Sequence, residues 1–505
     1  MNDKTGAPTS DFAALRAWLA KQRLQHQPAV AGSNETKPSS SHAQEGISAE
    51  PAPTLTVSSK GDAGFKTIIA AIRKAPAGAR IVIRPGLYQE GLALEKPVEL
   101  IGDGPRQDII IENPDSHCIS VQTSRASVRG LTLRSLGAAK GNKRSAVYLA
   151  QGSLVLEECT LSSDTLAALS VVGPAARAVI RRCCLSDSRT NGILVADYAD
   201  ASIEDCEFLG NGESGLLIRN EANPTVRHCR FHDGKMFGFM ADQGGRGTIE
   251  DCEFSHNEAA GVEISGGHPL IRNCRFLDEK IGVLAFSEGA GIVENCQFAR
   301  NGIGVLIAEK ANPVIKGCEI RDGLIYGVSA KQKGRGTVES CNIHGCAKAD
   351  VDIIEASIPI IRHCQVHDSP QFGIFVHAGG VGAIEECEIF GHGLAAIAVS
   401  EEGNPFVRQC RLRDGKKFGL SVQLKGQASV VDCDISGNML SGVLIRTGGN
   451  PVIRRCKIHG NEAEAVRVLE RGAGTFERCD LTGNSKGPWQ VDNTSRVQKH
   501  GNSEL

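Results

Sequence analysis

Fifteen cysteines recur along this chain at almost constant spacing, and no other feature restricts its fold as strongly. They are Cys159, Cys183, Cys206, Cys229, Cys252, Cys274, Cys296, Cys318, Cys341, Cys364, Cys387, Cys410, Cys433, Cys456 and Cys479. The first step is 24 residues and every later one is 22 or 23; Cys118, Cys184 and Cys346 fall outside the series. A period of this size marks one supersecondary unit repeated in tandem. The usual arithmetic of several separate domains for 505 residues is thereby set aside.

An apolar residue lies two positions after each cysteine of the series, from Leu161 through Phe208, Phe254 and Ile320 to Leu481. Others lie three before, such as Val407, Val430 and Ile453. About nine after comes a glycine or alanine, then an alternating pair such as Val443 and Ile445. These are strands of two to five residues with period-2 patterning, separated by polar turns. Leucine-rich repeats share the period but need a leucine and asparagine framework that is missing here. A single-stranded parallel β-helix fits, each coil making one turn and equivalent positions stacking about 4.8 Å apart. Aromatic residues make up only 4% of the chain and glycines number 58, which suits short strands of small apolar residues joined by tight bends. The expected fold is all-β, a right-handed solenoid of about 15–18 coils, the hand following the rule for parallel crossovers.

A two-coil period overlies the first. Asn-Pro-x-apolar-Arg-x-Cys, as in Asn223–Cys229 and Asn450–Cys456, alternates with a Gly-x-Gly-x-apolar-Glu-x-Cys form, as in Gly245–Cys252 and Gly334–Cys341. The residue two before the cysteine therefore alternates in sign from Glu157 and Arg181 to Arg454 and Glu477, with Val431 the exception. Each such pair is worth only a few tenths to about 1 kcal/mol. A slip of one coil would set like charges face to face.

Outside the repeat, residues 1–26 form a tail with an amphipathic helix expected over 11–26, and 27–54 read as a Ser-, Ala- and Pro-rich linker. The β-helix is expected over 55–490, opened by a short capping helix between Gly64 and Ala75, and 491–505 reads as a polar tail. Residues 135–145 are an insertion made basic by Lys140, Lys143 and Arg144, a candidate binding loop. No apolar leader and no membrane-length run is visible, which points to a cytoplasmic protein unless a leaderless route exports it. A balance of 56 basic against 58 acidic residues gives no reason to expect nucleic acid or a membrane as partner.

The side chains offer little chemistry. Stacked thiols about 4.8 Å apart exceed disulfide Cβ distances of about 3.5–4.5 Å, so the cysteines read as a reduced inward ladder. Asp187, Asp233, Asp278, Asp322, Asp368 and Asp414 recur at a turn position where an Asx bend accounts for them. His344, His363 and His367 are the one candidate metal cluster, and no cofactor motif is present. The strongest candidate binding surface is the turn after alternate cysteine strands. There Lys235 and Phe237 recur as Tyr326, then Phe372, then Lys416, Lys417 and Phe418, so an extended partner could be held through repeated contacts.

These features resemble the right-handed parallel β-helix superfamily that contains pectin lyases and carbohydrate-processing enzymes. Thr56-Val57, Phe65-Lys66-Thr67, Gly86-Leu87-Tyr88-Gln89-Glu90 and Leu100-Ile101-Gly102-Asp103-Gly104 resemble the opening of pectin methylesterases, without a counterpart of their catalytic motifs. Residues 200–480 resemble the β-helical repeats of the F-box-only protein eleven family and its bacterial relatives. The matching stretches are Asn450 to His459, Asp233 to Gly238 and Asp414 to Gly419; that family commonly has asparagine where this chain has cysteine. The resemblance implies a non-enzymatic scaffold that recruits another protein. Polysaccharide binding or processing is the alternative reading.

Overall fold

The computed structural model describes residues 52–137 and 143–504. The expected helix over 11–26, most of the linker, and Lys140 lie outside them. From Thr54 the backbone winds through three parallel sheets, A, B and C, of 20, 17 and 18 strands. A typical coil runs from Thr225–Arg227 in A to Arg230–His232 in B and Phe237–Asp242 in C, then returns to A at Thr248–Glu250. Every strand pairs in register with its equivalent one coil on, as Val226 does with Ile249 and Phe231 with Phe254.

Alternation along each short strand turns one set of side chains inward. Sheet B contributes Phe208, Phe231, Phe254, Phe276 and Phe298, whose rings stack with centroids 4.3–4.9 Å apart and planes within 8° of parallel. The ring spacing matches the rung spacing of a parallel ladder, so each coil that carries a phenylalanine continues the stack. Facing these rings is the glycine column of sheet C. A Cβ on Gly238 would lie 2.8 Å from the Phe254 ring, which forbids any side chain there.

The cysteines of the series occupy the corner between sheets A and B and are buried free thiols. Each stands beside two carbonyls: Cys341 Sγ lies 3.3 Å from Glu339 O and 3.6 Å from Ile315 O, one coil below. The corner between B and C is filled by asparagines. Asn257 Oδ1 accepts from Gly234 N at 3.1 Å, and its amide donates to Phe231 O. Asn461 and Asn484 repeat the arrangement.

The bends require left-handed backbone. Asp187, Asp233, Asp278, Asp322, Asp368 and Asp414 all have φ between 50° and 62°, so the aspartate column is a turn element. The alternate coils carry Gly210, Gly345, Gly391 and Gly437 at the same place. A Cβ on Gly437 would sit 2.5 Å from Asp414 Oδ1, whereas Arg300, in the same column, pairs with Asp278 through its guanidinium. The charge alternation of sheet A is present in register, with Arg227–Glu250 at 3.0 Å, Glu250–Arg272 at 2.9 Å and Arg454–Glu477 at 2.8 Å.

The N-terminal helix, Ile68–Lys74, buries Ile68, Ala71 and Ile72 over the first coil. Thr67 caps it, and both oxygens of Glu90 accept from Ile68 N and Ile69 N at 2.9 Å. Glu90 thus supplies the negative charge that a helix start favours. At the other end the structure differs from the sequence expectation of a tail after residue 490. Trp489–Val491 adds the last rung of sheet C, and Arg496–His500 the last of sheet A. Asn502 takes the next cysteine position: its Oδ1 accepts from Cys479 N at 2.8 Å and its amide donates to Phe476 O. Trp489 packs edge-on against Phe476 and carries Lys499 over its ring.

The ladder makes a sharp demand on charge. Cys341→Asp is expected to lower unfolding free energy by about 1–3 kcal/mol, more where no water reaches the carboxylate, because the column offers it no cation. Cys341→Ala should cost much less. Chemical denaturation of the two variants checks this, and equal midpoints would contradict the inward placement.

Candidate functional site

On sheet A the outward column two before the cysteine carries alternating charge, as Arg227, Glu250 and Arg272 do in register. Sheet C breaks that pattern. At the position eleven after the cysteine, the later coils carry Ser329, Asp352, Phe375, Ala398, Ser421, Leu444 and Arg467, stacked in register. The first position of the same strands holds Tyr326, Ala349, Phe372, Ala395 and Phe418. Aromatic and small residues thus alternate, and each alanine leaves a notch between two rings.

One such notch opens into a groove of about 400 Å³. Phe372 and Phe418 flank it with Ala395 between them, and Ser421 and Leu444 line it. Gln423, Arg446, Arg467, Lys417 and Glu470 bring polar groups to it. Arg446 Nε donates to Gln423 Oε1 at 2.8 Å, and Thr447 Oγ1 donates to Glu470 at 2.6 Å.

Beside Phe372, rings continue in contact: Phe375 lies 4.8 Å from it and 3.9 Å from His377. His377 Nε2 is 3.1 Å from Asp352 Oδ1, and Ser329 Oγ donates to Asp352 Oδ2 at 2.8 Å. Glu401 stands 3.6 Å from the other ring nitrogen. Asp352 is thus held by a hydroxyl and an imidazole, and burial raises the Tyr326 phenol one coil below to about 12.

A second polar group lies inside the solenoid. Asp350 occupies the glycine column of sheet C, between Gly327 and Gly373, and the following coil has the small Ser369 at the B–C corner. Its Oδ1 accepts from Cys346 N at 3.1 Å, and its Oδ2 faces His392 Nδ1 at 3.7 Å. His392 Nε2 is 3.1 Å from Val366 O, which fixes the tautomer and leaves Nδ1 an acceptor. Burial raises the Asp350 carboxyl to about 8 and lowers His392 to about 4. Burial also raises Glu279, in the asparagine corner, to about 8.

Several residues singled out from the sequence do not converge. His344 and His367 stack 4.6 Å apart as rungs of sheet B. His344 Nε2 contacts Glu319, and both nitrogens of His367 have other partners, Asp368 and Asn342. His363 sits in the A–B bend near Glu386. Among the described residues no three histidines, cysteines or carboxylates are placed to hold a metal. Ladder stacking sets like side chains parallel, whereas ligation requires them to converge. Phe237 is buried, and Lys235 is exposed beside Glu258. Lys143 is exposed, and Arg144 donates to Pro114 O at 2.8 Å, a loop-fastening contact. Lys416 lies outside the groove, whereas Phe372, Lys417 and Phe418 line it. Sequence reasoning missed Ser329, Asp352, His377, Gln423, Arg446 and Arg467. Aligning coils on the cysteines places Ser329, Asp352 and Arg467 eleven after the cysteine, in the column of Leu284 and Leu306, and His377, Gln423 and Arg446 thirteen after it.

The family model described as "Right handed beta helix region" matches residues 117–268, 167–304, 236–358, 265–404 and 351–503. The chain belongs to this right-handed β-helix family. Solved structures of similar fold include the N-terminal fragment of bacteriophage Phi29 gene product 12, at 13% identity over 86% of this chain and 91% of that one, with a TM-score of 0.47. The catalytic domain of an α-1,3-glucanase in complex with tetrasaccharides is 13% identical over 70% of this chain and 67% of its own, TM-score 0.41. Pectin methylesterase from carrot is 13% identical over 50% of this chain and 83% of its own, TM-score 0.33. Among the described residues no helix is long and apolar enough to cross a membrane.

The buried acids give the fold an unusual pH response. Asp350 and Glu279 ionise near 3.8 and 4.5 when unfolded but keep their protons to about 8 when folded. The folded state therefore binds more protons between those values, and stability falls as pH rises through that window. His392 acts oppositely between about 4 and 6.5, offsetting one of the two acids there. From pH 6.5 to 8 His392 no longer offsets them, and each of the two carboxyls contributes a slope of up to about 1.4 kcal/mol per pH unit. The unfolding midpoint is expected to fall between pH 6.5 and 8. Calorimetry on Asp350→Asn with Glu279→Gln should show a flatter profile.

Proposed function

We propose that the outward face of sheet C between Tyr326 and Glu470 is a groove for a linear polysaccharide, and that the solenoid serves as its rigid platform. The observation that carries this reading is the pair Phe372 and Phe418, half-buried, two coils apart across the Ala395 notch. A partly exposed aromatic face gives an apolar platform for the C–H face of a sugar ring. Gln423, Arg446 and Glu470 are planar hydrogen-bonding groups at the height where ring hydroxyls would lie. Equivalent positions two coils apart are about 9.6 Å distant, so an extended chain meets the same kind of contact more than once. Phe418→Ala is expected to weaken binding to a polysaccharide recovered from a glycan array by about 10-fold or more, as loss of an aromatic anchor does. The thermal midpoint should hold. Unchanged affinity in calorimetric titration would place the ligand elsewhere.

A second reading, recruitment of a protein, is favoured by one observation on sheet A. Ile358, Ile360, Val381 and Phe406 are 37–46% exposed on three successive coils, with Ile360, Ala383 and Phe406 in register. Such contiguous apolar surface is typical of interaction sites. The resemblance of Asn450 to His459 and Asp414 to Gly419 to the F-box-only protein eleven repeats points the same way. Ile360→Lys with Phe406→Glu should abolish capture of a purified partner and leave polysaccharide binding intact. Retained capture would remove the reading.

A further inference from the structure

We infer that the apolar band on the outer face of sheet A is a self-association surface, covered by a second copy of this chain lying antiparallel to the first; this rests on the reading of that face as a protein-docking site. Eleven large hydrophobic side chains are exposed among the described residues. Five of them, Ile292, Ile358, Ile360, Val381 and Phe406, lie on sheet A or in the bend that enters it. The other six are scattered over sheet B, the remaining bends and the last coil. The five fall in two outward columns, six and four residues before the cysteines, and a third column, two before, carries the alternating charges.

Two-fold symmetry makes a surface meet itself, so each column has to complement its own reversed order. A two-fold axis parallel to the strands, between the coils of Ile360 and Ala383, satisfies this in all three columns. Four before the cysteine, Ile360 meets Ala383 across the axis, Phe406 meets Thr337 and Ile292 meets Val452, each larger side chain against a smaller one. Six before, Ile358 meets Val381. Two before, Arg362 meets Glu385, Arg408 meets Glu339 and Arg454 meets Glu294, while Val431, where the alternation breaks, meets Lys316. These charges already pair along their own ladder, Arg362 with Glu339 at 3.2 Å and Arg454 with Glu477 at 2.8 Å. The apolar columns therefore supply the attraction and the charges set the register. Moving the axis onto Ala383 would set Ile360 against Phe406, Arg362 against Arg408 and Glu385 against itself, which both bulk and charge oppose. The contact runs over the ten coils from Cys274 to Cys479. At about 43 Å by about 13 Å it covers about 1,100 Å² in total over the two copies, enough to clear the about 1,000 Å² of a specific interface.

Sedimentation equilibrium of the full chain tests this, with twice the mass of one chain expected as concentration rises from about 1 to about 100 µM. Ile360→Lys with Phe406→Glu should raise the self-association Kd at least about 10-fold, with the circular dichroism spectrum unchanged. Arg362→Glu and Glu385→Arg should each raise it about 5-fold or more, since each sets like charges across the axis. An equimolar mixture of those two variants should associate as tightly as the unaltered chain. In the mixed pair the introduced carboxylate faces the introduced guanidinium, and the native Glu385 of one copy faces the native Arg362 of the other. This pair of surface variants decides the matter if the double apolar variant fails to fold. A chain still monomeric at about 100 µM, or a dimer that survives the apolar variant, overturns self-association through this face. Absence of recovery in the mixture overturns the antiparallel register. The docking reading is judged separately: a monomeric chain whose apolar variant loses capture of a purified partner leaves it standing, and retained capture removes both.

Discussion

The structure depends on coil-to-coil hydrogen bonding that continues through the bends as well as the strands. Asp233 N reaches Ser255 O at 3.2 Å and Asp251 N reaches Arg272 O at 3.2 Å, both from left-handed residues between strands. A non-glycine residue at such φ costs about 1–2 kcal/mol. The stacked bond it makes, repeated by its neighbours above and below, offsets that cost. In-register bends then hold the interior ladders in register as well: the thiol column, the phenylalanine stack and the asparagine corner each lie directly above a bend or beside one.

Much of this was legible in the sequence because a solenoid converts periodicity directly into contact. The cysteine spacing implied the coil, and the alternation of Glu and Arg implied the pairing of neighbouring strands, Val431 included as the break. The aspartate column was visible as a turn position, but not that Gly210, Gly345, Gly391 and Gly437 hold the same place in alternate coils. What the period could not reveal lay where it stops or where identical positions carry different chemistry. Residues 491–505 read as a tail because the next rung is marked by Asn502 instead of a cysteine. The histidines read as a cluster because equal spacing suggests proximity, which the stack of His344 on His367 supplies without convergence.

The groove illustrates the same limit from the other side. Tyr326, Phe372 and Phe418 stood out by size and recurrence, while Ser329, Asp352, Gln423 and Arg467 are ordinary polar residues individually. Their significance comes from position: they occupy outward columns that elsewhere on the solenoid carry paired charge or aliphatic residues. A rigid repeat makes such departures informative, since any coil could have carried the common pattern. Asp350 is a departure of the same kind in the interior, admitted where Ser369 leaves room above it.

The alternation at the bends also bears on how such a chain can grow or shrink over evolutionary time. Between Asp187 and Gly437 the acid of one coil rests on a glycine, or on a basic residue such as Arg300, in the next. Losing a single coil would bring aspartate over aspartate at one corner and arginine over arginine, or glutamate over glutamate, on sheet A. Losing two restores both patterns. Duplication and deletion within this stretch are therefore tolerated in pairs, and any shift of the groove along the axis comes in steps of two coils.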